Sequence, residues 1–290
     1  MKKSNKIKKP IGIIAGNGML PILLIKKFKK EKIPFFVAGI EGDFKDAESL
    51  KLSSDTCKYY NLSQLTSVIK FFKKNGVREI VSIGGTSRPD FKKVKINFFN
   101  LKVLWKLFRS EKKGDDGLFV ILKNEFFKKG LEMKSLHYFM PELLAEKKCY
   151  TKLKPTMKEK KFFEIGKKAA KKLGDADIGQ AVITQNENIF LREDRGGTEA
   201  MLKKAGAIIR GFYPSRELAD KAKESFVLFK MKKDDQLEEI DIPTIGINTI
   251  KQCHSANIKG VVIEAGSSYM IEKEKIIKEA DKLNIFVVGI

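Results

Sequence analysis

Histidine, cysteine and tryptophan are scarce in this 290-residue chain, with two, three and one copies respectively. Cys57, Cys149 and Cys253 are far apart and odd in number, which excludes a disulfide framework and any zinc-knuckle spacing. With only His137 and His254, metal or acid–base chemistry must rest on carboxylates, which favours Mg²⁺ or Mn²⁺ over zinc. Long apolar runs are also missing. Leu20 to Ile25 and Asn284 to Ile290 fall far short of the ~20 residues that span a bilayer. The start, Met1 to Lys9, resembles a signal n-region. Gly12, Gly16, Asn17, Gly18 and Pro21 interrupt the apolar stretch after it, and no cleavage-like end appears. The expectation is a basic tail on a cytoplasmic protein.

Hydrophobic residues make up 42% of the chain, enough for real cores, and its length favours two domains over one. The formal net charge is +22 and unevenly spread. Residues 1–150 carry 32 Lys+Arg against 15 Asp+Glu, whereas residues 151–290 carry 26 against 21. Such an imbalance suggests an anionic partner: nucleic acid, a phosphorylated metabolite or a membrane surface. Scattered lysines and the lack of a nucleic-acid-binding motif argue against the first.

The order of elements predicts an α/β protein. Strands over Ile11–Ala15, Pro34–Ile40 and Glu79–Ile83 alternate with helices over Ile22–Lys30 and Ser63–Lys74, which argues for a parallel sheet. Amphipathic helices come next, over 98–108 and 118–127. The lysine-rich stretch around Pro155 reads as a linker, with Thr156 and Glu159 as a capping box for the next helix. The expected division is 1–147, a linker over 148–160, and a second α/β domain over 161–290.

Several motifs bear chemistry. Gly16-Asn17-Gly18 lies between a strand and a helix, but Pro21 replaces the third glycine of a dinucleotide fingerprint. A phosphate- or substrate-facing turn through Gly16 and Gly18 fits better. Ser87 and Arg88 come after the strand ending at Ile83, where open α/β sheets bind ligands; a plain loop is the equal alternative. Gln180, Glu193 and Gly197-Thr198-Glu199 form a potential cluster, in which the amides near Gly197 hold phosphate and Glu193 or Glu199 adds a metal contact. Lys230 precedes an acidic segment and can neutralise a phosphate. Asp241, between Ile240 and Ile242 and ahead of Pro243, is placed to hold a hard cation or orient a water; capping the helix near Ile247 is the alternative. The basic, aromatic stretch 98–109 is either a core helix with snorkelling lysines or a lipid-facing surface.

These segments together carry a resemblance. Ile14 to Pro21, Ser87 to Phe91, Lys113 to Asp116, Asp177 to Gln180, Gly197 to Leu202, Asp241 to Gly246 and Glu264 to Gly266 occur in the order of the LpxI-type UDP-2,3-diacylglucosamine pyrophosphatases of lipid A biosynthesis. The resemblance runs from Ile11 to Ile290. It implies an N-terminal Rossmann-like domain, a C-terminal α/β domain and a lipid substrate held between them. It further implies Mg²⁺-dependent hydrolysis to UMP and 2,3-diacylglucosamine 1-phosphate, with attack at the phosphorus nearer the sugar, and a homodimer. The D-x-P-T-I-G motif puts the essential metal-binding carboxylate at Asp241. The family's acidic segment reads roughly Glu-x-x-Glu-Gly-Thr-Asp. Here Glu193 matches the first acid, Gly196 stands at the second, Glu199 replaces the aspartate, and Glu239 occupies a position where arginine is common. A lipid-borne substrate implies a cytoplasmic protein peripheral to an anionic inner-membrane surface. The competing reading is a non-catalytic nucleotide-sugar or phospholipid-binding protein of the same fold.

Overall fold

The computed structural model describes residues 9–290 except 62, 87–114, 177, 195 and 234–241, with the side chains of 115–118 also outside the description. The chain divides into two compact units, one within 1–141 and one formed by the described residues of 142–290.

The first unit is a five-stranded, wholly parallel sheet of β1 (Ile11–Ala15), β2 (Phe35–Ile40), β3 (Cys57–Tyr60), β4 (Glu79–Ile83) and β5 (Glu132–Met133). The spatial order is β3-β2-β1-β4-β5, so the strand sequence reverses between β1 and β4. Helices α1 (Met19–Glu31), α2 (Leu65–Lys74) and α3 (Asp115–Lys128) connect them, and a short α4 (Leu136–Phe139) comes after β5. Apolar runs such as Ile11-Gly12-Ile13-Ile14-Ala15 are continuous rather than alternating because both sheet faces are covered. Phe72, Ile80 and Phe126 pack on one face. Phe28 packs edge-on against Phe139, with ring centres 5.4 Å apart. Pro21 is the third residue of α1, where no amide hydrogen is needed.

The second unit holds a mixed sheet in the order β12-β10-β8-β6-β7. Strands β8 (Phe226–Lys230), β10 (Gly260–Ile263) and β12 (Phe286–Gly289) are parallel, whereas β6 (Ala181–Gln185) runs antiparallel to both β8 and β7 (Asn188–Arg192). Side chains alternate between two cores, as the two-residue period requires. Ile183, Leu228, Val261 and Val287 face helices α7 (Gly197–Phe212), α9 (Ile247–Ser255) and α10 (Lys273–Lys282). Val182, Phe229, Val262 and Phe286 face α6 (Phe163–Asp175). Gly166 of α6 lies so close to the Phe229 ring that a Cβ there would overlap it. Two further helices, α5 (Met157–Lys161) and α8 (Arg216–Lys221), and a small parallel pair, β9 (Thr244–Ile245) with β11 (Tyr269–Met270), complete the unit.

The stretch expected to be a linker is built into this second unit. The amide of Tyr150 donates to Val287 O at 2.9 Å, that of Gly289 to Lys148 O at 2.9 Å, and that of Val287 to Thr151 Oγ1 at 3.0 Å. Its lysines project outward, which gives the sequence its solvated look. Glu159, only 2% exposed, closes the expected capping box: it accepts from Thr156 N at 2.6 Å while Thr156 Oγ1 accepts from Glu159 N at 3.2 Å. It also accepts from Ser225 Oγ at 2.7 Å and lies 3.6 Å from Lys259 Nζ.

Burial pushes the Glu159 carboxyl up, but the bonds from Thr156 and Ser225 and the charge of Lys259 outweigh it, so its pKa falls below the ordinary 4.5. A lowered folded-state value means that stability is fully present above the unfolded pKa and is lost as pH falls through the folded one. Glu159→Ala should cost ~3 kcal/mol, because several buried donors lose their acceptor. Urea denaturation at pH 7 checks this, and the deficit should shrink as pH falls below the carboxylate range.

Candidate functional site

Two sheet ends gather polar groups, one in each unit. In the first unit the carboxyl ends of β1 and β4 lead into Gly16-Asn17-Gly18 and Gly84-Gly85-Thr86, on either side of the strand-order reversal. This is the position at which open parallel sheets receive ligands. The two turns bind each other: Asn17 N donates to Gly85 O at 2.8 Å, and Gly85 N to Asn17 O at 3.0 Å. Gly84 has φ +92°, and a Cβ there would sit 2.6 Å from Asn17 O; a Cβ on Gly16 would overlap Gly85 O. Glycine is thus required for the close approach of two backbones. The amide of Gly16 is spent on Ile83 O at 2.9 Å. Gly18, with φ +98°, precedes α1 and faces open space. Ser87, Arg88 and the stretch 98–109 lie outside the described residues.

In the second unit, antiparallel β6 puts its first residue beside the last residue of β8, with Ala181 paired to Lys230. Four sequence-predicted residues meet there. Glu193, 6% exposed at the end of β7, accepts from Gln180 N at 2.7 Å and from Thr198 Oγ1 at 2.8 Å. Gln180 Oε1 is buried without a hydrogen-bond partner among the described residues. Met231 N donates to Gln180 O at 3.0 Å, tying the exit of β8 to the entry of β6. Lys230 Nζ donates to Thr244 O at 3.0 Å, at the start of β9.

The beginning of α7 completes the group: the capping position is Gly196, and Thr198 turns its hydroxyl onto Glu193. Asp194 Oδ1 accepts from Gly196 N at 2.8 Å, and Asp194 O accepts from Gly197 N at 3.0 Å. Gly197 has φ +81°, and no described atom lies within 4 Å of where its Cβ would be. The remaining first-turn amides have no acceptor within the helix. Glu199 is exposed on that turn and forms no hydrogen bond or ion pair with this group among the described residues.

Asp241 itself lies outside the described residues. Helix α9 is capped at Gly246, whose amide meets Thr249 Oγ1 at 3.4 Å, so capping by Asp241 is set aside. A residue five positions upstream, with Pro243 between, is not at the helix start.

Glu264, quoted in the sequence only within the Glu264 to Gly266 motif, is a further acid at this sheet end. It stands immediately after β10, accepts from Lys232 N at 3.0 Å and pairs with Lys171 Nζ at 3.1 Å. An acid directly beyond an apolar parallel strand is the signal that marks it. With Lys230 and Lys232 nearby, this end of the sheet is rich in cations. Lys230 also acts on Cys253, opposing the burial that pushes this thiol up. Cys57 is likewise buried and its thiol pushed up to about 11, so neither is poised as a nucleophile.

The side-chain atoms here that can ligate a metal, the Glu193 carboxylate and Gln180 Oε1, are oxygens, which suits a hard divalent cation. Among the described residues no three His, Cys, Asp or Glu side chains gather to hold one, so a complete shell would need a carboxylate from beyond them. No described helix is long and apolar enough to cross a membrane.

Comparison with known proteins covers both units. Residues 10–143 match the LpxI N-terminal domain and residues 146–288 the LpxI C-terminal domain. The chain is 29% identical over 283 residues to a UDP-2,3-diacylglucosamine pyrophosphatase LpxI from Caulobacter vibrioides, covering 97% of each protein. With both domain models matched in order and almost no residue outside them, the chain belongs to the LpxI family.

Proposed function

We propose that this protein hydrolyses the pyrophosphate bond of UDP-2,3-diacylglucosamine in lipid A biosynthesis, releasing UMP and 2,3-diacylglucosamine 1-phosphate. The observation that carries this reading is the gathering of Glu193, Gln180, the first turn of α7 and Lys230 at one sheet end. The matched relative, a UDP-2,3-diacylglucosamine pyrophosphatase by name, supplies the substrate class.

A pyrophosphate repels its nucleophile, so the site must neutralise charge and hold water in line with the scissile bond. The first-turn amides of α7, at the positive end of a 16-residue helix, and the ammonium of Lys230 are the groups that bind phosphoryl oxygens. They are fixed before substrate arrives: Thr198 is held by Glu193, and Lys230 by Thr244 O. Preorganised donors of this kind stabilise charge that spreads onto the equatorial oxygens during transfer. Asp241, Glu193 and the orphaned Gln180 Oε1 are the oxygen donors that would hold Mg²⁺ or Mn²⁺, with Glu199 on the adjacent turn. When bound, such a cation polarises a phosphoryl oxygen and makes water more acidic. Gly18, Ser87 and Arg88 are kept as substrate-binding candidates of the first unit, whereas Gly16, its amide bonded to Ile83 O and its open side filled by Gly85, serves to brace the two turns. A homodimer belongs to the same reading and is checked by light scattering.

Purified protein should release UMP from the lipid substrate with Mg²⁺, and EDTA should stop it. Binding of the UDP-sugar lipid without UMP would instead favour the non-catalytic reading. Asp241→Ala should lower turnover by on the order of 10²–10³-fold, the scale on which an essential charge-stabilising group acts, with little change in Tm. In ¹⁸O-water the label should enter the sugar phosphate; label in UMP would overturn attack at that phosphorus. Glu193→Ala should cost ~1–3 kcal/mol by leaving the Gln180 amide unpaired. Glu193→Gln, which keeps an acceptor, should recover most of that stability in urea titrations but not the lost turnover.

A further inference from the structure

In the second unit α6 covers one face of the sheet, and α5 packs against α6. Residues 152–172 contain nine lysines against two glutamates. One of those acids, Glu159, is buried and fully engaged. By contrast α10, on the opposite face, mixes four lysines with three acids. Ile165, Lys168 and Lys172 recur at i, i+3 and i+7, hence on one stripe of α6, and all are exposed. Lys160 and Lys161 extend the stripe onto α5. None of these four lysines forms an ion pair among the described residues, unlike Lys171 with Glu264 and Lys259 with Glu159.

Apolar side chains stand within this cationic field. Met157 is 75% exposed and Ile165 39% exposed. The two aromatic residues of the stretch, Phe162 and Phe163, are both turned into the core. A nucleic-acid groove would offer exposed rings for bases to stack on; here only flexible aliphatic groups face outward. Ammonium groups surrounding a methionine and an isoleucine match a surface of anionic headgroups over acyl chains.

We infer that the outward face of α5–α6 is the surface by which this protein rests on an anionic phospholipid bilayer. The inference rests on the lipid-substrate reading, and the geometry links the two. The C-terminal end of α6 reaches the sheet end that holds the candidate site: Lys171 pairs with Glu264 there, and a Cβ on Gly174 would meet Lys233 Cγ at 2.7 Å. A protein resting on α5–α6 thus brings the rim of that site to the headgroup layer, where a diacyl substrate lies.

The test compares sedimentation with phosphatidylglycerol-containing and pure phosphatidylcholine vesicles. It uses the wild type, the combined variant K160E/K161E/K168E/K172E, and Met157→Ser with Ile165→Ser. All six positions are exposed, and unchanged Tm confirms folding. The four-charge variant should bind anionic vesicles about tenfold or more weakly, each lysine contributing measurably near such a surface. It should still hydrolyse detergent-dispersed substrate at the wild-type rate. The apolar variant should also bind more weakly, with an unchanged salt dependence. Undiminished vesicle binding by both variants would overturn the proposal, as would loss of binding to single-stranded nucleic acid with vesicle binding intact. If the wild type fails to turn over dispersed substrate while the vesicle effect persists, the hydrolase reading falls and the docking surface stands.

Discussion

Because β6 runs antiparallel to β8, the entry of one strand and the exit of another lie side by side, with Ala181 paired to Lys230. That single register brings together residues that a purely parallel sheet would separate. It lines up Gln180 with Met231, brings the end of β7 and Glu193 to the same edge, and directs the next turn so that α7 begins over it. The buried carboxylate of Glu193 then joins strand to helix, bonding an amide of one and a hydroxyl of the other. A carboxylate this deeply buried is tolerable only because each oxygen has a donor.

The first unit solves a different problem at its equivalent edge. Two glycine-rich turns, after β1 and β4, approach closely enough to exchange backbone hydrogen bonds. Glycine there answers to packing of main chain against main chain, and only Gly18 is left facing open space at the start of α1.

Much of this architecture is legible in the sequence because the pertinent signals are local. The Thr156–Glu159 box, Pro21 in a first turn and the apolar runs of β1, β2 and β4 each depend on a few neighbouring residues, and each appears where the pattern puts it. Strand β3 escapes such a reading, since Cys57-Lys58-Tyr59-Tyr60 is four residues with one buried side chain. Helix α7 runs to Phe212, and its Gly206 lets the backbone approach Ala256, a contact with no trace in local sequence. The direction of β6 is equally hidden, since pairing partners are set by packing and not by composition. The stretch 148–160 misleads for the opposite reason: its lysines point outward while Thr151 and Glu159 are buried. At the candidate site, Gln180, Glu193 and Glu264 all lie at strand ends that the sequence marks, but the convergence of Lys171 and Lys232 on Glu264 depends on packing.

The hydrogen bonds between 148–151 and β12 have a further consequence. An outermost strand with free amides and carbonyls is a template on which a second molecule can extend the sheet. Here that border is already occupied by the chain's own main chain, through Tyr150, Lys148 and the hydroxyl of Thr151. Self-association by strand addition onto β12 is thereby barred along this side, where an open strand border would otherwise invite growth into fibres.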